Sequence, residues 1–291
     1  MDYKDSKFAN DIIKLQNDDG SWGNSFHSLS IPTSKQTLTT EQALRRLKIL
    51  GYTIDDEPIK KAVKYLENCL TGKIKIPEKP EKLHNWKIFT ELMFSTWIKI
   101  FTIENKLINE NVKKWSTVIN DSFVNGAYDN NKYVSIYEKI FGLKPKGGRF
   151  IDFVTFYQIS LLTNSLDKSI EPLFFKYVLN NDVGIYYIYE KKLISTPIIF
   201  KAKETSLYLS AIELLAEYNN SNCKKQLDYV IKWLKNNMDK GNLWDMGKEV
   251  KDGIYFPLSD SWRKEEDRIK DCTYRIKKLV EKLEKENRNF A

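Results

Sequence analysis

The sequence predicts an all-α protein built from about five helix–loop–helix repeats. Three observations carry this expectation. Amphipathic segments of helical period alternate along the chain. Glycine-centred loops recur between them at Gly20, Gly72, Gly126, Gly184 and Gly241, separated by 52, 54, 58 and 57 residues. Four of these loops place an aromatic residue two or three positions after the glycine: Trp22, Tyr128, Tyr186 and Trp244. Glycine accepts the left-handed conformation that ends a helix, and a neighbouring aromatic can cover the helix end.

Each loop is expected to follow one helix and precede another. The preceding set covers 8–15, 57–70, 111–123, 170–179 and 224–236, and the following set covers 40–50, 84–103, 150–162, 204–218 and 262–283. Ile59, Ala62, Val63, Leu66 and Leu70 form one stripe, with Lys60, Lys61 and Lys64 opposite, so the preceding helices read as an outer layer. Phe89, Leu92, Met93, Phe94, Trp97, Ile98 and Phe101 surround more than one face, so the following helices read as an inner layer. A short helix over 133–141 should close at Gly142, while Pro77, Pro80 and Pro257 mark loops. Stacked repeats extend one core, so 1–291 is expected to be a single domain.

Composition bounds the function. An apolar fraction of 42% with 13% aromatic residues requires a packed core, and 30% charged residues supply its surface. No apolar run reaches the length of a membrane span and Met1–Asp5 lacks a signal-peptide core, so a cytoplasmic protein is expected. Those first residues resemble the start of an epitope tag and are given no functional weight. Cys69, Cys223 and Cys272 are too few and too scattered for a disulfide framework, and His27 and His84 leave little for a metal site. The net charge of +8 permits attraction to anionic lipid, diphosphate or nucleic acid without choosing among them.

The first loop reads Leu15-Gln16-Asn17-Asp18-Asp19-Gly20-Ser21-Trp22-Gly23 and resembles the Gln-Trp repeat of squalene and hopene cyclases, with Gln16, Gly20 and Trp22 at matching positions. The resemblance implies an α/α toroid with inner and outer helix layers, shared with protein prenyltransferases. The later loops lack the glutamine. The family's proton-donating Asp-x-Asp-Asp has Thr53-Ile54-Asp55-Asp56 as its nearest counterpart, without the first aspartate; it reads as the N-cap of the helix at 57. Asp271-Cys272 has the wrong spacing for the prenyltransferase zinc site, and no histidine follows. No cofactor and no metal are expected.

In such a barrel the N-terminal ends of the inner helices should converge on one mouth. That nominates His27, Thr40 and Glu41; His84 and Trp86; Arg149, Asp152 and Tyr157; Tyr186, Tyr187, Lys203 and Glu204; and Tyr255, Asp260, Trp262 and Arg263. Asp152, Asp260 and His84 are the candidates for proton transfer. Trp86, Arg149, Tyr157, Tyr186, Tyr187, Tyr255, Trp262 and Arg263 are the candidates for substrate binding. The leading expectation is a terpenoid cyclase or prenyltransferase-like protein that binds or transforms an apolar, isoprenoid-type small molecule. The alternative is a non-catalytic toroid that binds a protein partner. Peripheral membrane contact stays open, and nucleic acid ranks last because the lysines fall mainly on outer helices.

Overall fold

The computed structural model describes residues 3–26, 38–76, 78, 80, 84–146 and 153–284, and they are mostly helical. The helices are α1 (Lys7–Lys14), α2 (Thr40–Ile49), α3 (Glu57–Leu70), α4 (Trp86–Phe101), α5 (Asn109–Asn120), α6 (Asn130–Phe141), α7 (Phe156–Leu161), α8 (Glu171–Asn180), α9 (Lys203–Leu215), α10 (Ser221–Lys225), α11 (Asp228–Asn236) and α12 (Glu265–Glu284).

Local chemistry sets several of the starts. Ser6 accepts the Ala9 N–H at α1. Thr39 and Gln42 form a reciprocal capping box at α2. Thr155 accepts the Tyr157 N–H at α7, and Asp129 accepts those of Asn131 and Lys132 at α6, which ends on left-handed Gly142. Asp56 precedes α3 but does not cap it. Its carboxylate instead accepts the Thr53 N–H at 2.7 Å and pairs with Lys4 at 2.8 Å.

Tyr3 and Lys4 belong to the packing. Tyr3 is buried and donates its hydroxyl to Asp271 at 2.9 Å, and Tyr52 donates to the Lys4 carbonyl.

Burial separates the two sets of helices. In α3 the apolar stripe is covered while Lys60, Lys61 and Lys64 are exposed, and α1, α5 and α11 likewise bury one face. Every residue of α7 is buried, as are Thr40 to Leu47 of α2 and most of α4. Buried apolar residues from Tyr3 to Leu283 form one continuous core.

The first and last loops use the same device. Trp22 donates its indole N–H to the Ile12 carbonyl at 2.8 Å, ten residues back on the helix just ended, and exchanges backbone hydrogen bonds with the Thr40 hydroxyl of α2. Trp244 donates to the Leu234 carbonyl at 2.8 Å, also ten residues back, and exchanges the same pair with Thr273 of α12. Each tryptophan thus adds a second donor to a last-turn carbonyl of one helix, which already accepts a backbone N–H, and pins the next. Gln16 adds bonds to the carbonyls of Gly20 and Pro58, which tie the first loop to α3. Gly20 sits so close to α3 that a Cβ would lie 2.3 Å from the Lys61 oxygen.

Elsewhere the loops depart from the expected pattern. Gly126 does not end a helix: α5 stops at Asn120, and Asn125-Gly126, both left-handed, turn a hairpin between β1 (Phe123–Val124) and β2 (Ala127–Tyr128). In the last loop Asn242, rather than Gly241, takes the left-handed conformation. The outer helix expected over 224–236 divides into α10 and α11, and the inner helices expected from 150 and 262 begin at Phe156 and Glu265.

Candidate functional site

A cavity of about 230 Å³ takes side chains from α2, α4, α7, α9 and α12, the helices found within the ranges 40–50, 84–103, 150–162, 204–218 and 262–283. Its apolar wall includes Trp97, Ile100, Phe156, Ile188, Leu214 and Leu258. Five cationic side chains face it against two carboxylates: Arg45, Lys48, Arg275, Lys278 and Lys282 against Glu213 and Glu217.

One wall is organised by Glu41, which is fully buried in the first turn of α2. Its Oε1 accepts from Arg45 at 3.1 Å, from the Trp97 indole at 3.1 Å and from the Tyr157 hydroxyl at 3.0 Å. The pair with Arg45 spans one turn, which is the spacing that lets helix neighbours meet. The Arg45 guanidinium lies 3.8 Å from the Phe156 ring centre and 5.3 Å from that of Trp97, a cation–π arrangement in an environment with little water. Burial, followed by the Glu41 charge, holds the Tyr157 hydroxyl well above its ordinary pKa.

A second part of the lining is organised by Arg275 of α12. Its Nε and Nη2 donate to the two oxygens of Glu213 at 2.6 Å each, and Nη2 also reaches Ser210 at 3.1 Å. Burial works to lower the guanidinium pKa, but Glu213 outweighs it and holds the group above its usual value. Its guanidinium carbon stands 5.1 Å from the Tyr255 ring centre and 4.8 Å from that of Phe256. At the edge, Glu217 pairs with Lys48 of α2 at 3.6 Å and with Lys282 of α12. Burial acts to raise the Glu217 carboxyl, and the two lysines bring it below the ordinary carboxylate range.

The segment 252–262 carries Tyr255 and Leu258 to this cavity. Asp252 accepts the backbone N–H groups of Ile254, Tyr255 and Phe256. Arg46 donates to the carbonyls of Ile254 and Pro257. Buried Asp271 accepts from the Leu258 and Ser259 N–H groups at 2.8 and 2.9 Å and from the Trp262 indole at 2.8 Å. A loop held by three charged anchors presents its side chains from a fixed backbone.

Of the candidates named from the sequence, Tyr255 lines this cavity. Tyr157 lies behind it, bonded to Glu41, with Tyr187 edge-on at 5.6 Å and Tyr186 4.0 Å from Tyr187. Trp262 is spent on Asp271. Asp260 is exposed and accepts the Lys7 N–H at 2.7 Å, at the start of α1, so it stands apart as a structural acceptor. Arg263 and Lys203 are exposed, and Glu204 accepts from Tyr189 and Lys191. His84 stacks on Phe89 at 4.1 Å, beside Trp86, and faces a separate hollow of about 50 Å³ with Tyr133 and Tyr137. His27, Arg149 and Asp152 lie outside the described residues.

Most of the lining of this cavity lies away from the nominated helix starts. From four of its five helices the cavity takes the later turns, Arg45 to Ile49 of α2, Trp97 and Ile100 of α4, Ser210 to Leu214 of α9 and Tyr274 to Lys282 of α12, whereas α7 contributes its first residue, Phe156. The first turns of α2 and α9 are occupied by loops, with Trp22 on Thr40 and Tyr189 and Lys191 on Glu204. Glu41 was among the positions nominated from the sequence; for Arg45, which was not, the available signal was its i,i+4 spacing from Glu41 on a helix read as inner, where charge needs a buried partner.

Among the described residues, no helix is long and apolar enough to cross a membrane, and no group of three or more His, Cys, Asp or Glu could hold a metal ion. No protein-family model, curated protein or solved structure matches the chain.

Proposed function

We propose that the alternating helices close into an α/α toroid and that its central cavity binds an apolar small molecule of isoprenoid type. The observation that carries this reading is that α2, α4, α7, α9 and α12, the helices that match the expected inner set, all contribute to one cavity with an aromatic and aliphatic wall. The repeated tryptophan device supports it, since the same bonds join an outer helix to the next inner one at both ends of the chain. The likeness of Gln16, Gly20 and Trp22 to the cyclase repeat agrees with it.

Size narrows the ligand. A volume of about 230 Å³ holds about eight water-sized groups at ~30 Å³ each, below the usual range for drug-sized ligands. It suits a chain of five to ten carbons rather than a thirty-carbon polyene. Chemistry narrows the role. Protonating an alkene needs a carboxylic acid kept neutral in a dry site. Here Glu213 is committed to Arg275, and Glu217 is held below its ordinary range by two lysines. The reading is therefore binding, with aromatic walls that favour an unsaturated chain, rather than acid-initiated cyclisation.

Titration of the full chain with 3-methyl-2-butenol, followed by thermal unfolding and calorimetry, tests this proposal. Saturable binding should raise the melting temperature, because a ligand that binds only the folded state stabilises it by about 2.7 kcal/mol at a hundred times Kd. Phe156→Ala, which enlarges the cavity, should shift the preference toward geraniol. Absence of saturable binding by either alcohol would refute the reading.

A further inference from the structure

Exposed aliphatic residues are ordinary one at a time, so the full exposure of Ile198 means little by itself. Ile199 beside it is 66% exposed, however, and both line one surface hollow with Leu243 and Ile269. These side chains come from the loop before α9, the loop after α11 and the first part of α12. The backbone under the isoleucines is held at both ends. The Leu193 carbonyl accepts the hydroxyls of Tyr208 at 3.2 Å and Tyr229 at 2.8 Å, and the Ile199 carbonyl accepts that of Thr205 at 3.1 Å. Phe200 packs edge-on against Trp233 at 5.2 Å, and Lys201 pairs with Asp245 at 3.0 Å. Pro197 stiffens the backbone between these anchors. An apolar pair presented from a fixed backbone loses little freedom when it is covered, which is what a binding hot spot requires.

The charges of the hollow select what covers it. Its ionic lining is Asp239, Asp245 and Glu265 against Lys201, in a chain whose net charge is +8. Buried Arg268 answers Asp245 at 2.7 and 2.9 Å and Glu265 at 2.8 Å, which still leaves a carboxylate in excess. The Glu265 side chain is two-thirds exposed. An anionic membrane would set its phosphates against these carboxylates. A second copy meeting through the same hollow would set the two acidic linings against each other.

We propose that this hollow docks a protein partner through an apolar segment that carries lysine or arginine. The partner's aliphatic side chains cover Ile198, Ile199 and Leu243, and its cation meets Glu265. The surface shares no lining residue with the cavity described above, so it stands whether or not that cavity takes a ligand.

The test is calorimetric titration of the full chain, at physiological salt, with an amphipathic peptide of about fifteen residues that carries leucine on one helical face and lysine on the other. Saturable binding is expected. The double replacement Ile198→Ser with Ile199→Ser should weaken it at least about tenfold, and Glu265→Lys several-fold. Because these side chains are exposed, both variants should melt close to the parent chain. The same peptide with glutamate in place of lysine should bind at least about tenfold more weakly than the lysine peptide. No saturable binding, equal binding by the isoleucine variant, or equal binding of the glutamate peptide would overturn the proposal. So would sedimentation of the chain with phosphatidylglycerol vesicles, or its dimerisation in analytical ultracentrifugation, where either is lost in the isoleucine variant, since the hollow would then belong to a membrane or to a second copy.

Discussion

Helices α2 and α4 are both buried, for opposite reasons. Helix α4 buries Phe89, Leu92, Met93, Phe94, Trp97 and Ile98, so removal of apolar surface from water suffices to hold it inside. Helix α2 buries Glu41, Gln42, Arg45 and Arg46, none of which enters a core without a partner. Glu41 meets Arg45, Trp97 and Tyr157, while Arg46 meets the Ile254 and Pro257 carbonyls. Apolar helices supply the volume of the interior. The charged one fixes the walls of the cavity and the loop that reaches into it.

The comparison breaks most sharply where one ionic partner is taken away. Glu41→Ala strands Arg45 in the interior and should cost about 3–5 kcal/mol in urea unfolding. The double replacement Glu41→Leu with Arg45→Met should recover most of that loss, because a well-packed apolar pair can substitute for a buried ionic one. In α4 the corresponding test is one of volume. Phe94→Ala should cost about 3–5 kcal/mol by leaving a cavity, and Phe94→Leu less than about 1.5 kcal/mol.

A smaller effect sharpens the contrast through pH. Lys99, near the end of α4, donates to the carbonyls of Leu161, the last residue of α7, and of Thr163 just beyond it. Burial brings its pKa from 10.5 down to about 8. The unfolded chain therefore holds a proton that the folded chain has lost between those values, so this lysine makes stability rise with pH through that window. Lys99→Met should flatten the rise in denaturant midpoints measured from pH 8 to 10. The smallest effect concerns the helix starts. Thr39→Ala removes the capping box of α2 and should cost about 1 kcal/mol, whereas α4, entered at Asn85 without a side-chain cap, has no such bond to lose.

The same contrast explains what the sequence made legible. The periodicity of 57–70 and the apolar run of 86–101 placed α3 and α4, because for those segments burial follows composition. Trp22 and Trp244 marked the loops that join helices, because a large aromatic beside a helix end has a local partner. The walls of the cavity were not legible. Arg45 and Glu213 were not singled out, because their partners, Trp97 with Phe156 and Arg275, come from positions far along the chain. Asp260 read as a candidate acid because a loop carboxylate before a helix suggests chemistry. Its partner, the Lys7 N–H, lies 253 residues away and could not be seen locally.

The most direct test of the central claim is a measurement of nuclear Overhauser contacts between bound 3-methyl-2-butenol and the protein. The proposed toroid predicts transfer from the ligand methyl groups to the rings of Trp97 and Phe156 and to Ile188, which come from three different parts of the chain and share one cavity. Contacts confined to the His84 hollow or to exposed isoleucines such as Ile198 would contradict it.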